Sequence, residues 1–283
     1  MLSLNPKELP IPVLQKYLQN AVAPRPICFA STVNKNGDPN LAPFSFFNIF
    51  SSNPPIAVFS PAYSGRTGAA KDTLNNVLEV PECVINVVNY SMVHQTSLAS
   101  SPFAKDVNEF LKTGFTPIAS DLVKPFRVKE SPVQLEARVI EVKALGKAGG
   151  AGNLVICEIV RMHIQEAILN DAQQIDTKKI DLVARMGDNW YCRAAGDALF
   201  EVEKPITTIC IGFDQIPGEI RNSDVLTGNN LGLLGSIEQL PGEDETTEFK
   251  KQLQPFHDKK EQHLFAKTLL DANKVKEAWM VLL

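Results

Sequence analysis

Apolar residues in the first two thirds of the chain gather in short runs, cut by clusters of turn-forming residues. Residues 27–33 form one run of strand length, and Asn34-Lys35-Asn36-Gly37-Asp38 then supplies a turn in which Asn and Gly tolerate positive φ. The pattern resumes as a strand over residues 41–50, where Pro43, lacking an N–H, favours an edge position or a bulge. Asn53-Pro54-Pro55 turns the chain, and residues 56–60 return. Strands this close in sequence pair antiparallel, because parallel neighbours need a long crossover. Residues 72–78 read as a short helix with Asp72 as N-cap and Leu74, Val77 and Leu78 on one face. A further strand spans 83–88, and helical pieces run over residues 91–113. Two long strands, 133–144 and 154–164, flank the glycine-rich hairpin connection 146–152. In the first of them the apolar parity switches near Ile140, as the extra residue of a β-bulge would make it do.

Six or seven strands with few helices between them predict a mainly β domain over residues 1–200, a closed or partly closed antiparallel barrel. Near Leu199 the texture changes. Residues 243–248 are acidic and predict a surface loop, whereas residues 249–283 favour helix. There Phe265, Leu269 and Ala272 form one group at helical spacing, and Val275, Trp279 and Leu282 another. Residues 201–283 thus read as a C-terminal extension of loop and helix, an appendage and not a second catalytic domain.

Composition removes several function classes. Of the 283 residues 44% are hydrophobic, enough for a full core, and the net charge of −4 argues against a nucleic-acid or anionic-membrane surface. No apolar run approaches the ~20 residues of a membrane span, and the opening segment lacks the basic-then-apolar pattern of a signal peptide. Cys28, Cys83, Cys157, Cys192 and Cys210 are widely spaced without a CxxC pair. Reduced thiols in a cytoplasmic protein are expected, with no metal site, since His94, His163, His257 and His263 are not at ligand spacing either. A Gly-x-Gly-x-x-Gly turn and a Gly-x-Ser-x-Gly elbow are both missing, which speaks against a Rossmann unit and a serine hydrolase.

Chemistry concentrates between Pro24 and Thr73. Ser45, Phe46, Phe47 and Asn48 mix small polar and aromatic side chains on one strand; alternation sets Ser45 and Phe47 on one side, Phe46 and Asn48 on the other. Ser51 and Ser52 follow in the turn, Ser60 ends the next strand, and Ser31, Thr32 and Asn40 flank the first hairpin turn. The segment GRTGAAKDT then carries Arg66 and Lys71 into a helix start at Asp72 and Thr73, where backbone N–H groups favour an anion. It is not a P-loop, because Ala70 and Asp72 stand where that motif requires Gly and Ser or Thr. A hydroxyl-lined strand beside a basic, helix-capped loop suits a flat heteroaromatic ring bearing a phosphate, with flavin mononucleotide (FMN) the candidate. The same residues also read as solvated surface cations, barrel-core phenylalanines and turn-forming serines.

PRPICFAST, NLAPFSFFNIFSSNPP and KDTLNN, taken in order, resemble the flavin reductase-like family, the FMN-binding split barrels that include flavoredoxin. ARMGDNWY, residues 184–191, is similar to that family's Arg-Leu-Gly-Gly-x-x-Tyr segment, with Met186 for Leu and Asp188 for the second Gly. The resemblance covers residues 20–200. It implies a six-stranded antiparallel Greek-key split barrel, a homodimer, and one FMN in each of two clefts between subunits. It also favours the flavin reading of Thr32, Asn40, Ser45, Phe46, Phe47, Asn48, Ser51, Ser52, Ser60, Arg66, Lys71, Asp72 and Thr73.

The implied activity is NAD(P)H-dependent flavin reduction, in which hydride passes from nicotinamide to flavin N5. His163, on the last long strand, is the candidate catalytic side chain; a structural role at a strand end is the alternative. Arg185 and Tyr191 are candidates for binding the pyridine nucleotide, or else pin their loop to the barrel. Two other functions stay open: a flavoredoxin-type electron carrier reduced by a partner protein, and a non-catalytic barrel acting as an interaction module.

Overall fold

A computed structural model describes residues 1–104 and 107–283; Lys105 and Asp106, within the predicted helical stretch, lie outside the described residues. Contacts divide the chain into two compact units, Met1–Phe200 and Glu201–Leu283. The first opens with α1 (Ile11–Ala21), β1 (Cys28–Val33), β2 (Pro39–Phe44), β3 (Phe47–Ser52) and β4 (Pro55–Phe59). Next come α2 (Asp72–Glu79), β5 (Glu82–Val87), α3 (Val93–Leu98) and α4 (Glu109–Thr113). The short β6 (Pro117–Ile118) and β7 (Arg127–Val128) precede the long hairpin of β8 (Val133–Ala144) and β9 (Asn153–Ile164), and a ribbon of β10 (Val183–Arg185) and β11 (Tyr191–Arg193) follows.

Seven of the described strands form one antiparallel sheet in the order β2-β1-β5-β8-β9-β4-β3, one more than the six expected. The extra strand arises because residues 41–50 are not one strand but the ends of two, β2 and β3, broken at Ser45–Phe46. These two occupy opposite edges of the sheet. Laid flat, seven strands would separate the edges by roughly 29 Å, yet three peptide units, spanning at most about 11 Å, join Phe44 to Phe47. The sheet is therefore curled. The Phe44 and Phe59 rings, from β2 and β4, meet at 5.5 Å across the gap; the Ser60 amide, donating to the Phe46 carbonyl at 2.9 Å, extends the β3–β4 ladder up to it.

Residues 27–33 carry no charged side chain because β1 is buried on both faces, its Ser31 and Thr32 included. Cys28 and Ala30 pack with Phe59, Ile85 and Leu135, while Ile27 and Phe29 pack with Leu41, Phe110 and Phe115. The bulge predicted near Ile140 is present, since the register steps from Val139↔Cys157 to Glu141↔Ile156. A second bulge, at Val160, lies between Glu136↔Arg161 and Ala137↔Ile159.

Pro43 sits on the edge strand β2, as its missing donor requires, and Glu109 of α4 accepts the outward Leu41 amide at 3.1 Å. The other edge, β3, leaves Phe46, Ile49 and Phe50 exposed. On α2, Lys71 and not Asp72 holds the N-cap position, in extended conformation, so Asp72 is the first helical residue. Leu74 and Val77 are buried as expected, but Leu78 is 63% exposed. The buried stripe instead includes Thr73 and Asn76, which hydrogen-bond to the sheet.

The second unit holds α5 (Gly218–Arg221), α6 (Gly228–Gly235), α7 (Glu243–Lys250), α8 (Lys259–Asp271) and α9 (Val275–Leu282). Its core gathers around Trp279, fully buried, whose indole N–H donates to the Leu234 carbonyl at 2.9 Å. The acidic segment expected as a loop is helix α7. Glu243, Asp244 and Glu245 occupy its first turn, where the helix dipole favours negative charge. Among the described residues no helix is long and apolar enough to cross a membrane.

Candidate functional site

The loop between β4 and α2 is the best-defined candidate. Ser60 fixes its start through Phe46, and the glycine-rich β8–β9 connection binds its first half. Tyr63 N–H donates to Ala151 O (2.9 Å), Gly150 N–H to Tyr63 O (3.0 Å), and the Asn153 amide to Pro61 O (3.0 Å). Glycine is needed for this approach: a Cβ on Gly149 would lie 2.9 Å from the Ser64 carbonyl oxygen, and one on Gly152 2.5 Å from Ser60 Oγ. The segment read as a plain hairpin turn thus braces the loop; only its density of glycines hinted at that.

Arg66 and Lys71 are exposed on this loop, and no side chain caps the N-terminus of α2. Two cations beside an uncapped helix start form a donor set that fits a phosphate. Thr73 is placed differently. Asn40 Nδ2 donates to Thr73 Oγ1 (2.9 Å) and Thr32 Oγ1 (3.1 Å), and Asn76 Nδ2 also donates to Thr32 Oγ1 (3.1 Å). Thr32, Asn40 and Thr73 therefore form, with Asn76, a buried network that seats α2 on β1 and β2. A groove of about 670 Å³ beside α2 is lined by Asp38, Asp72, Glu79 and Glu109 against Lys35. Burial raises the Glu109 carboxyl, its own amide and that of Leu41 oppose the shift, and the Asp72 charge adds to it. A phosphate is repelled from that acidic side, Asp72 included, and favoured on the side of Arg66 and Lys71.

Ser45, Phe46 and Ser60 converge where β2 steps to β3. Ser45 Oγ accepts from Arg25 Nε at 3.4 Å, Phe46 is exposed, and Ser60 is buried. Phe47 packs into the core while Asn48 faces solvent, in keeping with the alternation. Ser51 and Ser52 lie at the far end of β3, roughly 20 Å of strand from Phe46, and Ser51 Oγ accepts the Asn53 amide in the turn (3.3 Å). Nothing in the sequence marks Arg25 as buried. Its guanidinium donates to the carbonyls of Gln19, Val22 (2.7 Å) and Met186 (2.7 Å), tying α1 to the turn after β10.

His163 stands apart from this loop. It lies ten residues beyond Asn153 on β9, about 30 Å of strand away. Its Nε2–H donates to Glu136 Oε1 at 2.6 Å. Glu136 is fully buried and also accepts the amides of Asp121 (2.8 Å) and Leu122 (2.6 Å). Burial works against its ionisation, but these amides and His163 outweigh it and hold the carboxyl below its ordinary range. Asp121, Glu136 and His163 bring three potential ligand atoms within 4.8 Å of one another. Arg127 and Arg161, 3.9–4.0 Å from these carboxylates, already neutralise the cluster.

Arg185 and Tyr191 are cross-strand partners on the β10–β11 ribbon. The Arg185 guanidinium lies 4.6 Å from the Tyr191 ring centroid and donates to the Trp190 carbonyl at 3.1 Å. The Arg25 and Arg185 backbones pair through bonds of 2.9 and 2.8 Å, which joins this ribbon to the entry of β1.

A model of the flavin reductase like domain matches residues 21–177, from the end of α1 past the end of β9. The chain belongs to the flavin reductase-like family. It is 31% identical over 196 residues to a protein of Aquifex aeolicus, covering 69% of this chain and 97% of that one. It is similar in structure to nitrilotriacetate monooxygenase component B of Bacillus cereus (TM-score 0.66, 29% identity, 71% of this chain and 98% of that chain). A split-barrel protein of Shewanella frigidimarina, proposed to be a flavin reductase, matches with a TM-score of 0.60 at 25% identity over 70% of this chain and 96% of its own. The flavin reductase-like match ends before Arg185 and Tyr191.

Proposed function

We propose that this protein is an FMN-binding oxidoreductase, a flavin reductase that takes electrons from NADH or NADPH. The observation that carries the reading is the exposed pair Arg66 and Lys71 at the uncapped start of α2, on a loop anchored where Ser45, Phe46 and Ser60 converge. Arg66 and Lys71 neutralise the phosphate, and the free end of α2 adds its dipole. Ser45, Phe46 and Ser60 border the ring, and the Thr32–Asn40–Thr73–Asn76 network holds the helix in place without contacting the ligand. When bound, FMN supplies a two-electron acceptor for hydride from a nicotinamide. Arg185 and Tyr191 receive the second substrate.

The curled sheet is read as a Greek-key split barrel that works as a cytoplasmic homodimer. The exposed Phe46, Ile49 and Phe50 along the open β3 edge support the assembly, since such a row favours burial against a second copy. The deciding experiment is an absorption spectrum after FMN loading and desalting, followed by NADH or NADPH. A retained flavin band that bleaches is expected, and a protein that retains no FMN refutes the reading. A second reading, a flavoredoxin-type carrier reduced by a partner protein, uses the same FMN site, since neither reading needs a side-chain acid such as His163 at the ring. A band that stays oxidised under both donors and bleaches only with a reducing partner protein would select it.

A further inference from the structure

The β10–β11 ribbon and the start of α3 wall a groove of about 440 Å³, a volume that suits a small molecule. Tyr90, Val183 and Tyr191 give it an apolar and aromatic lining, and His94, Arg185 and Arg193 give it basic groups. Arg193 is already neutralised. It pairs with both oxygens of Asp181 (2.7 and 2.9 Å), and its guanidinium lies 3.8 Å from the Tyr90 ring centroid. Arg185 is not. It makes no ion pair among the described residues, although its stack on Tyr191 and its bond to Trp190 fix its position.

The neighbour of Arg185 sharpens the point. Arg25, whose backbone pairs with that of Arg185, is buried, bonded to neutral acceptors, and likewise has no ion pair among the described residues. Burial, and then the Arg185 charge, lower the Arg25 pKa, so the two cations feel each other. A fixed cation with no ion pair among the described residues, beside a second cation and on the wall of an aromatic groove, is a group that attracts an anion.

We propose that this groove binds a planar aromatic ring bearing one anionic group, the ring lying against the tyrosines and the anion paired with Arg185. The inference deepens the reading above, because it rests on assigning Arg185 and Tyr191 to the second substrate. The same chemistry has two sources: an aromatic carboxylate that accepts electrons, or the phosphate-bearing base of a dinucleotide donor.

The test titrates the full-length protein, with and without FMN, against benzoate, its neutral isostere benzamide, and adenosine 5′-monophosphate. Calorimetry and the fluorescence of Trp190, 75% exposed at the tip of the ribbon, read the binding. Benzoate, the monophosphate or both are expected to bind at least about tenfold more tightly than benzamide, a difference of about 1.4 kcal/mol. R185Q removes that preference. S97W, on the exposed far wall of α3, blocks both anions and leaves folding intact, so the test survives if R185Q misfolds. Binding of benzoate alone identifies the carboxylate source, and binding of the monophosphate alone identifies the nucleotide. Equal binding of benzamide, binding unchanged in S97W, or no binding of either anion overturns the proposal. Bleaching of bound FMN by NADH or NADPH, followed in the same samples, reports separately on the oxidoreductase reading.

Discussion

Glu136 on β8 and His163 on β9 meet diagonally across the ladder at 2.6 Å, their direct cross-strand partners being Arg161 and Gln134; the carboxylate has no solvent contact and the imidazole lies at the rim. Through the amides of Asp121 and Leu122 the same carboxylate holds the segment between β6 and β7 against the sheet. Because its pKa is depressed in the folded state, it contributes stability above the ordinary glutamate value of about 4.3, and that contribution fades as pH falls through the lower, native value. E136Q is expected to lose roughly 2–3 kcal/mol at pH 7 and much less near pH 3. Denaturant unfolding at the two pH values checks this; a loss that does not shrink in acid contradicts it.

Arg66 and Lys71 give the second prediction. Removing a charge-assisted phosphate contact costs about 1.5–3 kcal/mol, or 10- to 100-fold in affinity. R66A and K71A are each expected to weaken FMN by that factor while leaving riboflavin, which lacks the phosphate, unchanged. Titrations monitored by flavin fluorescence compare the two ligands. An equal loss for both would place the cations away from the phosphate.

Gly152 permits a cleaner steric test. A methyl group there would stand 2.5 Å from Ser60 Oγ, so G152A must displace that hydroxyl or the loop behind it. FMN affinity is expected to fall about tenfold, with a change in stability below about 1.5 kcal/mol. Retained affinity would remove Ser60 from the ring's border.

Arg25 is a tie between segments. R25A leaves the carbonyls of Gln19, Val22 and Met186 without their donor, and a destabilisation of about 2–4 kcal/mol is expected. Hydrogen exchange should show α1 opening first. If α1 keeps its protection, other contacts hold it.

Thiol chemistry separates the five cysteines. Cys28, Cys83 and Cys157 are buried in the core, and Cys192 and Cys210 are partly exposed. Burial first, and then the neighbouring Cys83, push the Cys28 thiol up; the Cys157 thiol at 3.7 Å, and then burial, do the same for Cys83. A thiol reagent should modify two cysteines in the native state and the remaining three only on unfolding. Rapid native reaction of a third would mean that the sheet opens.

Much of this was legible from residue order. The turn at Asn34–Asp38, the edge placement of Pro43, the bulge at Ile140 and the alternation through Ser45–Asn48 each follow from a local rule, and the structure keeps them. The break at Ser45–Phe46 was not, because side chains keep alternating through it while the backbone changes hydrogen-bond partners. The burial of Arg25 and Glu136 is not legible there either, since their acceptors and donors come from segments distant in the chain. At the candidate site the basic loop was legible by composition, but the commitment of Thr73 to Asn40 depended on where α2 comes to rest. Leu78 and the acidic stretch of α7 misled for a related reason: a short window does not say which face, or which end of a helix, the rest of the chain will cover.

The strand order also governs when the sheet can be completed during synthesis. β1, β2 and β5 form one piece and β3 with β4 another, and among the described residues the sheet joins the two through β8 and β9. Until residue 164 has left the ribosome, the N-terminal strands are two fragments linked at Ser45–Phe46, with open edges and half a core. The nascent chain must therefore wait for the β8–β9 hairpin, the last piece of the sheet to be made, to clasp segments separated from it by about a hundred residues. Such long-range closure makes assembly slow and late, and it leaves the intermediate exposed to aggregation.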